Sequence, residues 1–137
     1  MTTAKTTTGK LIDWIQRHPR RVRALLAGYW VLIFIGTHLP RIPKPLEQVS
    51  DKSLHFSAYA GLALLLLFDA LSHRQFTILR HGVILVLCFV YSVADELLQI
   101  PVGRSCDVLD AVADMAGVST ILLISLGIHF LARKSPA

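Results

Sequence analysis

An all-α integral membrane protein, a four-helix transmembrane bundle with both termini on the cytoplasmic side, is the fold class that the sequence predicts. Three observations carry it. The chain has 137 residues, of which 53% are hydrophobic and only 17% charged, whereas soluble domains carry about 25% charged residues. Four stretches are long and apolar enough to cross a bilayer, which takes about 20 residues. The basic residues collect at alternate ends of those stretches. Mean hydropathy is +0.56, and the length suits one domain. This composition excludes a disordered tail, a collagen-like chain, a disulfide scaffold and an ordinary cytosolic enzyme. The net charge of +5 does not point to nucleic acid, because the bases are separated by apolar runs rather than clustered on a polar surface.

Residues 1–21 form a basic amino-terminal tail whose start is rich in threonine. Within it, residues 11–18 read as a short interfacial helix with Trp14 at headgroup level. The first span covers residues 22–39. It follows a basic stretch, as a signal peptide would, but its apolar core is longer than a signal core and no small-x-small site follows; an uncleaved anchor is expected. The second span, residues 54–72, contains the block GLALLLLF. The third covers residues 82–100 and the fourth residues 111–132, leaving a short tail at 133–137. Each is apolar around its whole circumference, as lipid-facing helices are, and none alternates as a strand would. Short connections make neighbouring helices antiparallel. Gly61 and Gly117 offer places for close helix packing.

Charge sets the direction. Lys5, Lys10, Arg17, Arg20, Arg21 and Arg23 precede or open the first span. Arg74 and Arg80 lie between the second and third, and Arg133 and Lys134 follow the fourth. Excess Lys/Arg marks the cytoplasmic face, so both termini and the middle loop are inside. The opposite end holds four bases (Arg41, Lys44, Lys52, Arg104) and seven acids (Glu47, Asp51, Asp95, Glu96, Asp107, Asp110, Asp114). The protein is thus basic inside and acidic outside. Cys88 and Cys106 fall at different depths and are expected to be free thiols.

The polar residues of the spans gather at that acidic end. Lys52, His55 and Tyr59 are spaced by three and four and share a helical face, with Asp51 just before them. Asp95 and Gln99 are one turn apart, beside Glu96. Asp107, Asp110 and Asp114 open the fourth span after the loop Gly103-Arg104-Ser105-Cys106, and His38 closes the first at the same level. Structural roles are available for several of these. Asp107 can cap a helix, Lys52 can snorkel and Arg104 can anchor at the interface, and Tyr59 and Gln99 can bond between helices. Asp69, at the other end, is expected to reach water or pair with Arg74. Asp95, Glu96 and Asp114 are harder to explain structurally: each lies about a turn or more inside its span, where a carboxylate costs roughly 2.5–3.5 kcal/mol.

Carboxylates crowded around a histidine are the ingredients of general acid–base chemistry. His55, Asp95 and Glu96 are therefore the candidate catalytic groups, and Lys52 and Arg104 the candidate headgroup-binding ones. Asp51, Tyr59, Gln99, Asp107, Asp110 and Asp114 are supporting. The same oxygen-rich set suits a divalent cation such as Mg²⁺, Ca²⁺ or Mn²⁺. No HExxH, Walker or Gly-x-Ser-x-Gly pattern occurs.

At these residues the chain resembles the VanZ-like family of small bacterial membrane proteins. The resemblance is carried by Asp51-Lys52-x-x-His55-Phe56-x-x-Tyr59, by Asp95-Glu96-x-x-Gln99, and by Gly103-Arg104-Ser105-x-Asp107-x-x-Asp110-x-x-x-Asp114-x-x-Gly117. It spans roughly residues 32–130. It implies a multi-pass protein of the bacterial cytoplasmic membrane, in a family named for a member associated with teicoplanin resistance. Where the family commonly has Asn, this chain has Asp114, which adds a charge inside the fourth span.

The function expected is that of a cell-envelope protein that binds, and in its enzymatic form modifies, a phosphate-bearing or glycan-linked lipid at the outer leaflet. The alternatives are a subunit of a proton- or ion-coupled transporter and a non-catalytic membrane interaction module. Membrane lipid is the expected partner, with a second copy of the chain or another membrane protein as the protein candidate.

Overall fold

The computed structural model describes residues 7–38, 50–103 and 106–134, and it is all-α. Five α-helices follow one another: α1 (Thr7–Arg17), α2 (Pro19–Thr37), α3 (Asp51–Ser72), α4 (Ile78–Gln99) and α5 (Val108–Lys134). A short 3-10 turn, Ile100–Val102, extends α4.

Local chemistry explains each break. Pro19 lacks an N–H and disfavours helical backbone before it, so α1 ends and α2 begins around His18, whose φ is −126°. His18 folds back, its ring stacked on Trp14 and its Nδ1 2.9 Å from the Trp14 carbonyl. Arg74, at φ 56°, turns the chain out of α3. Thr77 then caps α4 by accepting from Arg80 N at 3.2 Å. Gly103 ends the 3-10 turn in the left-handed region at φ 79°, a conformation glycine adopts without steric cost. The Asp107 side chain accepts from Leu109 N at 2.9 Å, the N-cap bond expected of it.

The helices begin earlier than their apolar stretches. The expected starts at residues 54, 82 and 111 move to Asp51, Ile78 and Val108, because capping and helix hydrogen bonding continue through the polar ends. The expected interfacial segment is likewise longer, α1 starting at Thr7. Its Leu11, Ile12 and Trp14 are exposed while Ile15 is buried.

Helix α3 is central: α1, α2, α4 and α5 all pack against it, and α4 also meets α5. The apolar core between them is built from Leu26 and Ile33 of α2, Leu62, Ala63 and Leu67 of α3, Ile84 and Cys88 of α4, and Val118 and Leu122 of α5. Two glycines set the closest approaches. A Cβ at Gly117 would collide with the Phe56 carbonyl and lie 3.1 Å from Ala60 N, so α5 touches the backbone of α3 there. At Gly61 the Tyr29 ring occupies the space a Cβ would need, and its hydroxyl donates to the Ala58 carbonyl at 3.1 Å.

Helices α3 and α4, and α5 from Val108 to Leu131, are long and apolar enough to cross a membrane. Helix α2, the first expected span, does not meet the same standard. Every 18-residue stretch of it includes Arg20, Arg21 and Arg23. Cys88 and Cys106 are free thiols, as expected. At the end opposite the acidic cluster, Asp69 does not pair with Arg74. Its carboxylate lies 3.5 Å from Arg23 Nε and 3.5 Å from His73 Nδ1, because the αL turn at Arg74 sends that residue away from the α3 face while α2 presents Arg23 to it. Arg23 also donates to His73 Nε2 at 2.8 Å.

Candidate functional site

The acidic cluster occupies the ends of α3, α4 and α5 opposite Asp69, with the end of α2 beside it. The outermost contacts are ionic. Lys52 Nζ donates to Asp107 Oδ2 at 2.8 Å and to Asp110 Oδ1 at 2.9 Å, tying α3 to the start of α5. The ammonium holds the Asp107 carboxyl below the usual carboxylate range. Lys52, expected to bind a headgroup, is therefore already clamped by two carboxylates.

One turn deeper the geometry is that of a buried histidine–carboxylate pair. His55 Nδ1 lies 3.0 Å from Asp114 Oδ1, and Ser92 Oγ donates to Asp114 Oδ2 at 2.7 Å. His55 is 3% exposed and Asp114 fully buried. The contact exists because Gly117, less than one turn along α5, lets the two backbones meet. With Nδ1 facing a carboxylate, the ring is fixed in orientation and Nε2 is left for other chemistry.

The acids of α4 complete the cluster. Asp95 is fully buried and receives Thr37 Oγ1 at 2.9 Å, with His38 Nδ1 at 3.7 Å from the same oxygen. Glu96, 3% exposed, accepts from the backbone N–H of Asp107 at 2.9 Å. Gln99 Nε2 sits 3.5 Å from both Asp95 and Glu96, at the weak limit of a hydrogen bond. Tyr59, also fully buried, lies within electrostatic reach of Asp95 and Asp114, and its hydroxyl has no hydrogen-bond partner among the described residues.

Two groups could hold a metal ion. One donor atom each from His55, Glu96 and Asp114 lie within 4.8 Å of one another, and so do donors from Asp51, His55 and Asp110. His55 belongs to both. Beside the cluster, an apolar cavity of about 400 Å³ opens between α4 and α5, lined by Phe89, Val93, Leu97, Val112 and Met115 among others. Glu96 lines it too, through its apolar stem, while its carboxylate is turned to the Asp107 amide. Glu96 is thus the residue shared by the polar cluster and the apolar groove.

The structure thus brings together Asp51, Lys52, His55, Asp95, Glu96, Gln99, Asp107, Asp110 and Asp114, and sets Tyr59 against Asp95 and Asp114. His38 joins at Asp95 as its level in the first span suggested. Arg104 lies outside the described residues. Three participants were not expected. Thr37 and Ser92 hold the two most buried carboxylates, and Tyr91 stacks on Tyr59 with ring centroids 5.7 Å apart. Ser92 had a signal in its spacing: Ser92, Asp95, Glu96 and Gln99 fall on one face of α4. Thr37 had only its place beside His38.

A multi-pass helical membrane protein that buries a histidine and four carboxylates at one end of its spans is the class that fold and site define. A family model described as VanZ/LLP1 matches residues 7–130. The chain belongs to that family. No curated protein and no solved structure matches it.

Proposed function

We propose that this is a protein of the bacterial cytoplasmic membrane that binds a phosphate-bearing or glycan-linked lipid at the extracytoplasmic face and acts on its headgroup. In this reading α2 is the fourth span of a four-helix bundle and both termini are cytoplasmic. The outward side of α2 supports the fourth span, since Leu25, Val31, Leu32 and Ile35 are each more than half exposed and need an apolar surrounding. The concentration of Arg17, Arg20, Arg21 and Arg23 around its start supports the orientation.

The observation that carries the lipid reading is the double position of Glu96. A lipid chain lying in the α4–α5 groove runs along the stem of Glu96, whose carboxylate is part of the His55–Asp114 cluster. His55, oriented by Asp114 and Ser92, exchanges a proton through Nε2, with Glu96 and Asp95 as the neighbouring acids. Arg104 remains the candidate for the anionic headgroup, Lys52 being held by Asp107 and Asp110. A proton-coupled transporter is less well supported. Between the two ends, Leu62, Leu67, Ile84, Val118 and Leu122 fill the core, which is no path for an ion.

The test compares lipid extracts from cells with the wild-type protein, with His55→Ala and without the protein. A lipid whose headgroup changes with the protein and reverts with His55→Ala is expected; identical lipids in all three remove the enzymatic form. Ala111→Trp, which fills the groove from α5, is expected to abolish capture of a photoactivatable lipid by the purified protein. Undiminished capture by this variant sinks the groove as the lipid's seat.

A further inference from the structure

We propose that the buried cluster is a divalent-cation site, with His55, Glu96 and Asp114 as its protein ligands. The argument begins with charge. Asp95, Glu96 and Asp114 are at most 3% exposed, at the end of spans that lie in lipid. Buried carboxylates need compensation, since an unpaired ion in such surroundings costs several kcal/mol. Lys52 is taken by Asp107 and Asp110 at the rim. His55 faces Asp114 at 3.0 Å, and His38 stands 3.7 Å from Asp95. Two imidazoles and the donors Thr37 Oγ1, Ser92 Oγ and the Asp107 N–H stand against three carboxyl groups, and no Lys or Arg among the described residues pairs with them. A cation of charge +2 at their centre restores the balance.

Geometry agrees with charge. A cation with ligand bonds of about 2.1–2.4 Å places adjacent donors about 3 Å apart and opposite donors up to about 4.8 Å apart. His55 Nδ1 and Asp114 Oδ1 are 3.0 Å apart, the separation of neighbouring ligands, and Glu96 lies within 4.8 Å of both residues' donors. A second observation is independent of the acids: Tyr59, about one turn along α3 from His55 and wholly buried, has a hydroxyl with no hydrogen-bond partner among the described residues. A buried phenol is ordinarily hydrogen-bonded. A water on the cation is the partner it lacks. One imidazole with two carboxylates favours Mn²⁺ or Zn²⁺ over Mg²⁺ or Ca²⁺, which prefer oxygen alone. The outer group, Asp51, His55 and Asp110, is the weaker candidate, because Asp110 is already held by Lys52. With Nδ1 on the cation, the ring's one remaining proton is on Nε2, which then donates a hydrogen bond. That the cation holds a lipid phosphate rests on the function proposed above; that it binds does not.

The experiment uses the full chain in detergent, stripped with a chelator and titrated with Mn²⁺, free Mn²⁺ being read by electron paramagnetic resonance and Zn²⁺ added in competition. One Mn²⁺ per chain, displaced by Zn²⁺, is expected. Asp114→Asn and Glu96→Gln, which keep shape and hydrogen-bonding capacity, are each expected to weaken binding at least tenfold, and Asp51→Asn to leave it within twofold. Absence of saturable Mn²⁺ and Zn²⁺ binding overturns the site. Binding lost in Asp51→Asn but kept in Asp114→Asn overturns the ligand assignment. Capture of photoactivatable lipid in the same preparation separates the two proposals. Capture unaffected by chelator removes the cation's role in holding the headgroup and spares the lipid reading. Mn²⁺ binding without capture does the reverse.

Discussion

His55 and Asp114 depend on each other. Removing the imidazole leaves a carboxylate in the core with Ser92 as its remaining donor, so His55→Ala is expected to cost about 3 kcal/mol of stability. His55→Gln, which can still donate, is expected to recover part of it. Thermal unfolding of both variants in detergent measures the difference, and equal midpoints for wild type and His55→Ala would show the pair to be inert. At the rim, Asp107 has a different pH signature. Its carboxyl is held below the ordinary value by Lys52. The stability it contributes is present above its unfolded-state pKa of about 3.9 and is lost as pH falls through the lower, folded value. Asp107→Asn is therefore expected to flatten the stability curve on the acid side of about pH 4. A curve as steep as the wild type's would assign the acid sensitivity to other carboxyls.

Between elements, the decisive contact is α3 against α5. Gly117→Ala drives a methyl group into the Phe56 carbonyl, a backbone atom that cannot rotate away. Overpacking of this kind costs typically 1–3 kcal/mol, and here it also separates His55 from Asp114. Gly117→Ala is expected to lower thermal stability and any lipid phenotype together, whereas Gly127→Ala, with open space around its Cβ position, is expected to change neither. The elements also show what was legible in the sequence and why. The apolar runs located α2, α3, α4 and α5, since apolar composition on that length scale needs an apolar surrounding; α1 was legible from Trp14 and its basic flanks. Helix starts were displaced toward the polar ends because capping by Thr77 and Asp107 acts over two or three residues. The i, i+3, i+4 spacing of Lys52, His55 and Tyr59 placed them on one face. It could not show that Lys52 would be consumed by Asp107 and Asp110, which depends on the rotation of α5 about its axis. Nor could spacing within one helix reveal Thr37 as the donor to Asp95, because that bond joins residues 58 positions apart in the chain. Asp69 fails for the same reason: its neighbour in space is Arg23, on another helix.

The whole molecule is polarised, basic at one end and acidic at the other, and the orientation proposed for it has a direct readout in its own thiols. Cys106 is exposed at the acidic end, while Cys88 is buried in the core. A membrane-impermeant maleimide added to cells with a permeable outer barrier is expected to label wild type but not Cys106→Ser. Labelling only after the inner membrane is breached would reverse the topology. The glycine contact also sets the gauge of the site. With backbone against backbone at Gly117, no side chain separates α3 from α5 at that level, so the reach from His55 to Asp114 is set by the helix axes themselves. Glu96 comes from a third helix, α4, and is held to the start of α5 by the Asp107 amide. A substitution that widens the α3–α5 gap at Gly117 therefore lengthens the His55–Asp114 contact first.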